Sequence, residues 1–154
     1  MGKGKKLKVY LAGSMAAGRD FENGVKQTAK ILEDLGCKIV TKKTVVNNNE
    51  KSVAPTTLKN RKYIMRRDKE WLRGSDVVIA EVSQYSHGVG YEHAYAETQG
   101  KPILLLRHMS LNGNRHSAFL DGTDYKRFMF SFYDENNLKE VIEKFINKND
   151  KKTP

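Results

Sequence analysis

Two carboxylates, Glu92 and Asp68, are the residues best placed to do chemistry. Glu92 follows Ser86-His-Gly-Val-Gly90, a glycine-rich loop ahead of a helix whose pattern opens at Tyr91. A helix N-terminus carries about half a positive charge and free N–H groups. A phosphate at Ser86 and Gly88 would be stabilised there. Glu92, one turn in, is expected to stay ionised, as a carboxylate nucleophile must. An ordinary first-turn acid is the plain alternative. Asp68 lies in a helical stretch, residues 58–73. At about 100° per residue it falls near 40° from Ile64, between Trp71 and Leu72 and beside Met65. It is thus inside the apolar stripe, while Arg66, Lys69, Glu70 and Arg73 lie opposite. A lone carboxylate there has a partner or a job. Two carboxylates facing one crevice suit glycoside chemistry: one attacks the anomeric carbon, the other protonates the leaving group.

Other side chains say less. Gly13-Ser-Met-Ala-Ala-Gly18 has the glycine spacing of a nucleotide-triphosphate loop, but Arg19 and Asp20 stand where that loop needs Lys and Ser or Thr. That excludes an NTPase and leaves Gly13 and Ser14 as donors to one phosphate or sugar hydroxyl, or as a plain strand-to-helix turn. Glu81 is expected to anchor a neighbouring loop, and Tyr10 to be a core aromatic. The four histidines lack ligand spacing and are read as surface residues, so no metal site and no cofactor is expected.

These residues need a frame to hold them. Short β-rich apolar runs at 7–12, 38–41, 76–82, 103–106 and 128–133 alternate with helical patterns at 21–35, 58–73, 91–98 and 137–147. Residues 45–57 read as a mobile loop, and 108–125 as a long connection. Alternation of this kind predicts parallel βαβ units in a three-layer α/β domain, flavodoxin-like, with strand order 2-1-3-4-5. Ligands bind such sheets beyond the strand carboxyl ends, at the switch point between strands 1 and 3. The Gly13-Ser14 turn and the 83–90 loop flank that point.

Composition narrows the class. At 154 residues, one domain over 8–147 is expected, with disordered tails at 1–7 and 148–154. Six of the ten net positive charges lie in the first and last eight residues, and residues 59–73 hold seven basic and two acidic groups. The excess is two tails and one helix face, so a nucleic-acid site is not expected. Cys37, the one cysteine, excludes a disulfide framework and a cysteine-based zinc site. No apolar run approaches about 18 residues, so no membrane span is expected. The start lacks the apolar stretch of a signal peptide. The expected location is cytoplasmic, with the nucleus as a second compartment.

Taken together, Val9-Tyr-Leu-Ala-Gly-Ser14, Asp68-Lys-Glu-Trp-Leu72, Asp76-Val-Val-Ile-Ala-Glu-Val82 and Gly88-Val-Gly-Tyr-Glu92 resemble the 2′-deoxynucleoside 5′-phosphate N-hydrolases, within the nucleoside 2-deoxyribosyltransferase superfamily. The resemblance runs from about residue 8 to 146. It implies that Glu92 forms a glycosyl-enzyme with C1′ of deoxyribose. It further implies that Asp68 assists departure of the base and that Tyr10 orients Glu92. Gly13, Ser14, Ser86 and Gly88 would bind the 5′-phosphate. Ser117 would reach the phosphate of a neighbouring subunit in a homodimer. Met15, Arg19 and Phe119 are further candidates for the same pocket. The resemblance departs at Ala16, where the family usually carries a phosphate-contacting arginine. Two rival readings remain: a deoxyribosyltransferase that exchanges bases with the same nucleophile, and a non-catalytic nucleotide or nucleic-acid binding module.

Overall fold

The computed structural model describes residues 6–14, 21–46, 57–113, 117–122 and 126–150. Five strands form: β1 (Lys8–Ala12), β2 (Lys38–Ile39), β3 (Val77–Glu81), β4 (Ile103–His108) and β5 (Phe128–Tyr133). They pair in parallel in the order β2-β1-β3-β4-β5, as the alternating pattern predicts. The helices are α1 (Glu22–Asp34), α2 (Leu58–Gly74), α3 (His87–Thr98), the short α4 (Ala118–Asp121) and α5 (Leu138–Asn149).

Layers cover both faces of the sheet, which is why its strands are apolar at consecutive positions; β3 is buried at every residue. Alternation along β1 sends Val9 and Leu11 into one layer, with Val25 and Leu32 of α1 and Ile142 and Phe145 of α5. It sends Tyr10 and Ala12 into the other, with Leu72 of α2 and Val89 and Ala96 of α3. Tyr10 is therefore committed to the α2/α3 side by strand parity alone.

Two glycines shape the ends of these units. A Cβ on Gly13 would stand 2.7 Å from Val25 Cγ2, so glycine lets α1 close over the end of β1. Gly36, at φ 77°, ends α1, and Cys37 N donates to Leu32 O at 2.9 Å. A third, Gly24, faces the Tyr133 hydroxyl so closely that a Cβ would overlap it. Gly24→Ala should destabilise the fold by about 1–3 kcal/mol through this overpacking, read as a lower urea midpoint.

Several boundaries differ from expectation. α3 starts at His87, four residues before the predicted Tyr91, and takes Gly88 and Gly90 into its first turn. The reason is local: Ser86 caps it, its hydroxyl accepting from Val89 N at 3.4 Å. Packing of Val89, His93 and Ala96 onto the sheet then outweighs the poor helix propensity of glycine. β2 has two residues rather than four, because the chain turns after it into a π-helical turn, Lys42–Val46. Thr41 fixes that turn: its hydroxyl accepts from Leu11 N and donates to Leu11 O. β4 runs to His108, and α5 reaches Asn149, two residues into the predicted tail. Residues 1–5, 47–56 and 151–154, within the predicted tails and loop, lie outside the described residues, as do Met15, Ala16 and Arg19.

Candidate active site

The carboxyl ends of β1 and β3 bring three predicted residues together. Tyr10, 2% exposed, projects from β1, and its hydroxyl donates to Glu92 Oε1 of α3 at 2.9 Å. Asp68 enters from α2, and its negative charge is felt at both partners. Burial pushes the Tyr10 phenol well above its usual range, and the charges of Glu92 and Asp68 add to that. It remains a donor at any pH of interest. Glu92 is pushed up to about 7, chiefly by burial and further by the charge of Asp68, against the pull of the Tyr10 hydrogen bond. Glu92, expected to stay ionised, is thus held less firmly so than a first-turn acid would be. Glu92 is in the second turn of α3, where the dipole has faded, and desolvation outweighs it.

Asp68 faces inward as its position on the wheel predicts, its side chain 22% exposed. The stripe around it is narrower than expected, since Met65 is exposed. Arg67, which the sequence reading passed over, holds Asp68 Oδ1 through Nε at 3.0 Å. Its guanidinium lies 4.6 Å from the Trp71 ring centre and 5.9 Å from that of Tyr63. The signal was present as spacing: 63, 67 and 71 stand four apart, one stacked row on a helix. Lys69 and Arg73 also turn toward α3, Lys69 over the rings of Tyr91 and Tyr95, and Arg73 donating to the Tyr95 hydroxyl. Three of the basic groups in this helix are therefore engaged with aromatic neighbours.

The candidate phosphate residues lie at two places, the end of β1 and the start of α3. Gly13 and Ser14 close β1. Ser86 spends its hydroxyl on the α3 cap, leaving backbone N–H groups at the helix start. The space above Gly88 is open, with Ser86 Oγ its nearest neighbour at 3.8 Å. Ser117 is exposed and lines, with Ser86, Val89, His93 and Arg107, a cavity of about 600 Å³ between α3 and α4. Glu92, Asp68 and Tyr10 are not among the residues lining that cavity. The side chain of Phe119 lies outside the described residues. Glu81 is the anchor it was expected to be: it accepts from Ser83 N at 3.3 Å, from the Ser83 hydroxyl, and from the Tyr133 hydroxyl at 3.1 Å. His93 is not a surface residue. It is buried in the Val89/Ala96 stripe, edge-on to Phe128, and burial lowers its pKa. Among the described residues no group of three or more His, Cys, Asp or Glu could hold a metal ion, and no helix is long and apolar enough to cross a membrane.

A family profile described as nucleoside 2-deoxyribosyltransferase matches residues 9–143, from β1 to the middle of α5. The chain belongs to the nucleoside 2-deoxyribosyltransferase family. A 5-hydroxymethyl-dUMP N-hydrolase of Tetraodon nigroviridis is 34% identical over 146 residues, covering 91% of this chain and 97% of that protein. A putative 2′-deoxynucleoside 5′-phosphate N-hydrolase of Thermofilum pendens is 34% identical over 140 residues, covering 90% and 92%. Among solved structures, a 2-deoxyribosyltransferase of Bacillus psychrosaccharolyticus shares the fold at a TM-score of 0.62 and 17% identity, over 86% of this chain and 90% of that one. A CMP N-glycosidase of Clostridium botulinum does so at 0.59 and 18%, over 89% and 96%. Within the matched range, the Tyr10–Glu92 hydrogen bond joins residues that stand 82 positions apart.

Proposed function

We propose that this chain hydrolyses the N-glycosidic bond of 2′-deoxynucleoside 5′-monophosphates, releasing the free base and 2-deoxyribose 5-phosphate. The observation that carries the reading is the Tyr10–Glu92 hydrogen bond beside Asp68 at the switch point of the sheet, in a chain whose relatives are named N-hydrolases. Glu92 attacks C1′ as the C1′–N bond breaks, and Asp68, which takes up a proton from solvent before the step, gives that proton to the departing base. Water, losing its proton to Asp68, then attacks C1′ and returns Glu92 to its carboxylate. Tyr10 donates to Glu92 Oε1 and leaves the other oxygen for the sugar. A modified pyrimidine such as 5-hydroxymethyluracil is the first base to try, since it is named for relatives that match over nine-tenths of this chain.

The phosphate lies at the N-terminus of α3 and the Gly13-Ser14 turn, where backbone N–H groups and the helix dipole favour an anion. Since nothing crowds Gly88 in the free protein and alanine suits a helix better than glycine, Gly88→Ala leaves the fold as stable or up to about 1 kcal/mol more so. Its methyl group instead blocks close approach of the anion and raises KM for a monophosphate by about tenfold or more. Steady-state kinetics and a urea titration check the two halves of this statement. In this reading the working unit is a cytoplasmic or nuclear homodimer in which Ser117 of one subunit reaches the phosphate of the other. Base exchange is the second reading, favoured by the family and by a transferase with this fold. Adding a second free base during turnover separates them. Hydrolysis gives 2-deoxyribose 5-phosphate as the sugar product, whereas a new nucleotide in its place overturns the hydrolase reading.

A further inference from the structure

A second buried acid lies close behind this crevice. Glu81 closes β3 at 2% exposure, and its contacts with Ser83 and Tyr133 tie it to the ends of the neighbouring strands. Ser83 Oγ in turn accepts from the His108 amide of β4 at 2.7 Å. The hydrolytic reading gives Glu81 no part. Yet Glu81 and Ser14 line one small cavity, together with Phe21, Glu22, Val25 and Gln84, with about 10 Å³ of room for the centre of a water molecule. The Ser14 hydroxyl is buried and has no hydrogen-bond partner among the described residues. A buried hydroxyl left unmatched is costly. A cavity of this size holds one water, and such a water needs at least two polar partners. Ser14 Oγ and the Glu81 carboxyl supply them.

We propose that Glu81 is a positioning residue for the turn after β1, acting through one water bound between its carboxyl and Ser14 Oγ. The hydroxyl of Ser14 then faces inward, and the residue serves a phosphate through its backbone N–H. One carboxyl thereby anchors the Gly13-Ser14 turn and the ends of β3, β4 and β5, and the turn is held where an anion meets it. The inference rests on the phosphate reading of that turn.

A high-resolution crystal structure of the full chain tests the link itself. The expected result is one water within about 3.2 Å of both Ser14 Oγ and the Glu81 carboxyl. A dry cavity, or a Ser14 hydroxyl turned out into the crevice, overturns the proposal. Kinetics test the consequence. Ser14→Ala and Glu81→Leu each raise KM for a deoxynucleoside monophosphate about tenfold while lowering kcat far less. The double variant is no worse than the worse single one, because both cut the same link. Effects that multiply to about a hundredfold overturn it. Should Glu81→Leu fail to fold, the water beside Ser14 still decides. Wild-type KM values that are equal for a deoxynucleoside and its monophosphate would defeat the phosphate reading, while the crystallographic test would stand.

Discussion

Glu92→Gln slows base release from a 2′-deoxynucleoside 5′-monophosphate by at least about 10⁴-fold, with KM changed less than about threefold. The substitution keeps an acceptor for the Tyr10 hydroxyl and removes only the anionic oxygen that forms the bond to C1′. A loss concentrated in kcat separates a nucleophile from a binding residue. The charge state of Glu92 adds a second signature. Its carboxyl is pushed up to about 7 by burial and by Asp68, and only the ionised form attacks. The Glu92 requirement therefore gives kcat/KM a limb that rises with pH, opposed by a falling limb from the proton that Asp68 must carry, and Tyr10→Phe, which deletes the hydrogen bond favouring ionisation, moves the Glu92 limb to higher pH. Stability runs the opposite way. A carboxyl whose pKa is raised on folding contributes stability below its unfolded value of about 4.3 and loses it as pH rises through the folded value. Glu92→Gln is therefore expected to be more stable than the wild type at pH 8, measured by urea unfolding. The nucleophile is held at a cost to the fold.

Asp68→Asn lowers kcat by about 10² to 10³-fold on a base that needs protonation to leave, within the range for a general acid. The size of the loss depends on the leaving group. A base that departs readily as an anion loses little, and one that departs poorly loses most. A series of monophosphates with graded bases thus gives a steeper dependence on leaving-group basicity in Asp68→Asn than in the wild type. A flat, uniform loss across the series would assign Asp68 to holding the site rather than to proton transfer. Arg67, stacked on Trp71 and bonded to Asp68 Oδ1, keeps the aspartate side chain in place for this step.

Much of this arrangement was legible in the sequence for a physical reason: buried parallel strands and amphipathic helices write their periods into the chain. β5 was read with its observed bounds, and the sheet order followed from the alternation of short apolar runs with helices. Asp68 was legible because one carboxylate in an apolar stripe breaks a pattern. The start of α3 was not, because Gly88 and Gly90 argue for a loop locally, and only the sheet beneath them favours the helix. The same blindness to packing made His93 a surface residue and hid the rise that burial gives the Glu92 carboxyl. In each case burial, a property of the assembled layers, overrode a local rule. The Tyr10–Glu92 contact is of the same kind. From residues alone Tyr10 was a core aromatic, and only family resemblance assigned it to Glu92. What joins them is strand parity in β1 together with the pitch of a helix 82 residues away. The excess positive charge was readable as a number but not as a role. Its helical share at Arg67, Lys69 and Arg73 is spent against aromatic rings and Asp68, which leaves less of it facing a polyanion.

The most direct measurement is base release by chromatography from matched substrates: 5-hydroxymethyl-dUMP and dGMP, each beside its nucleoside and its ribonucleotide. The account predicts that at least one deoxynucleoside monophosphate yields free base and 2-deoxyribose 5-phosphate in equal amounts, with the nucleoside and the ribonucleotide cleaved far more slowly. Cleavage that ignores the 5′-phosphate, or release that persists in Glu92→Gln, would contradict it.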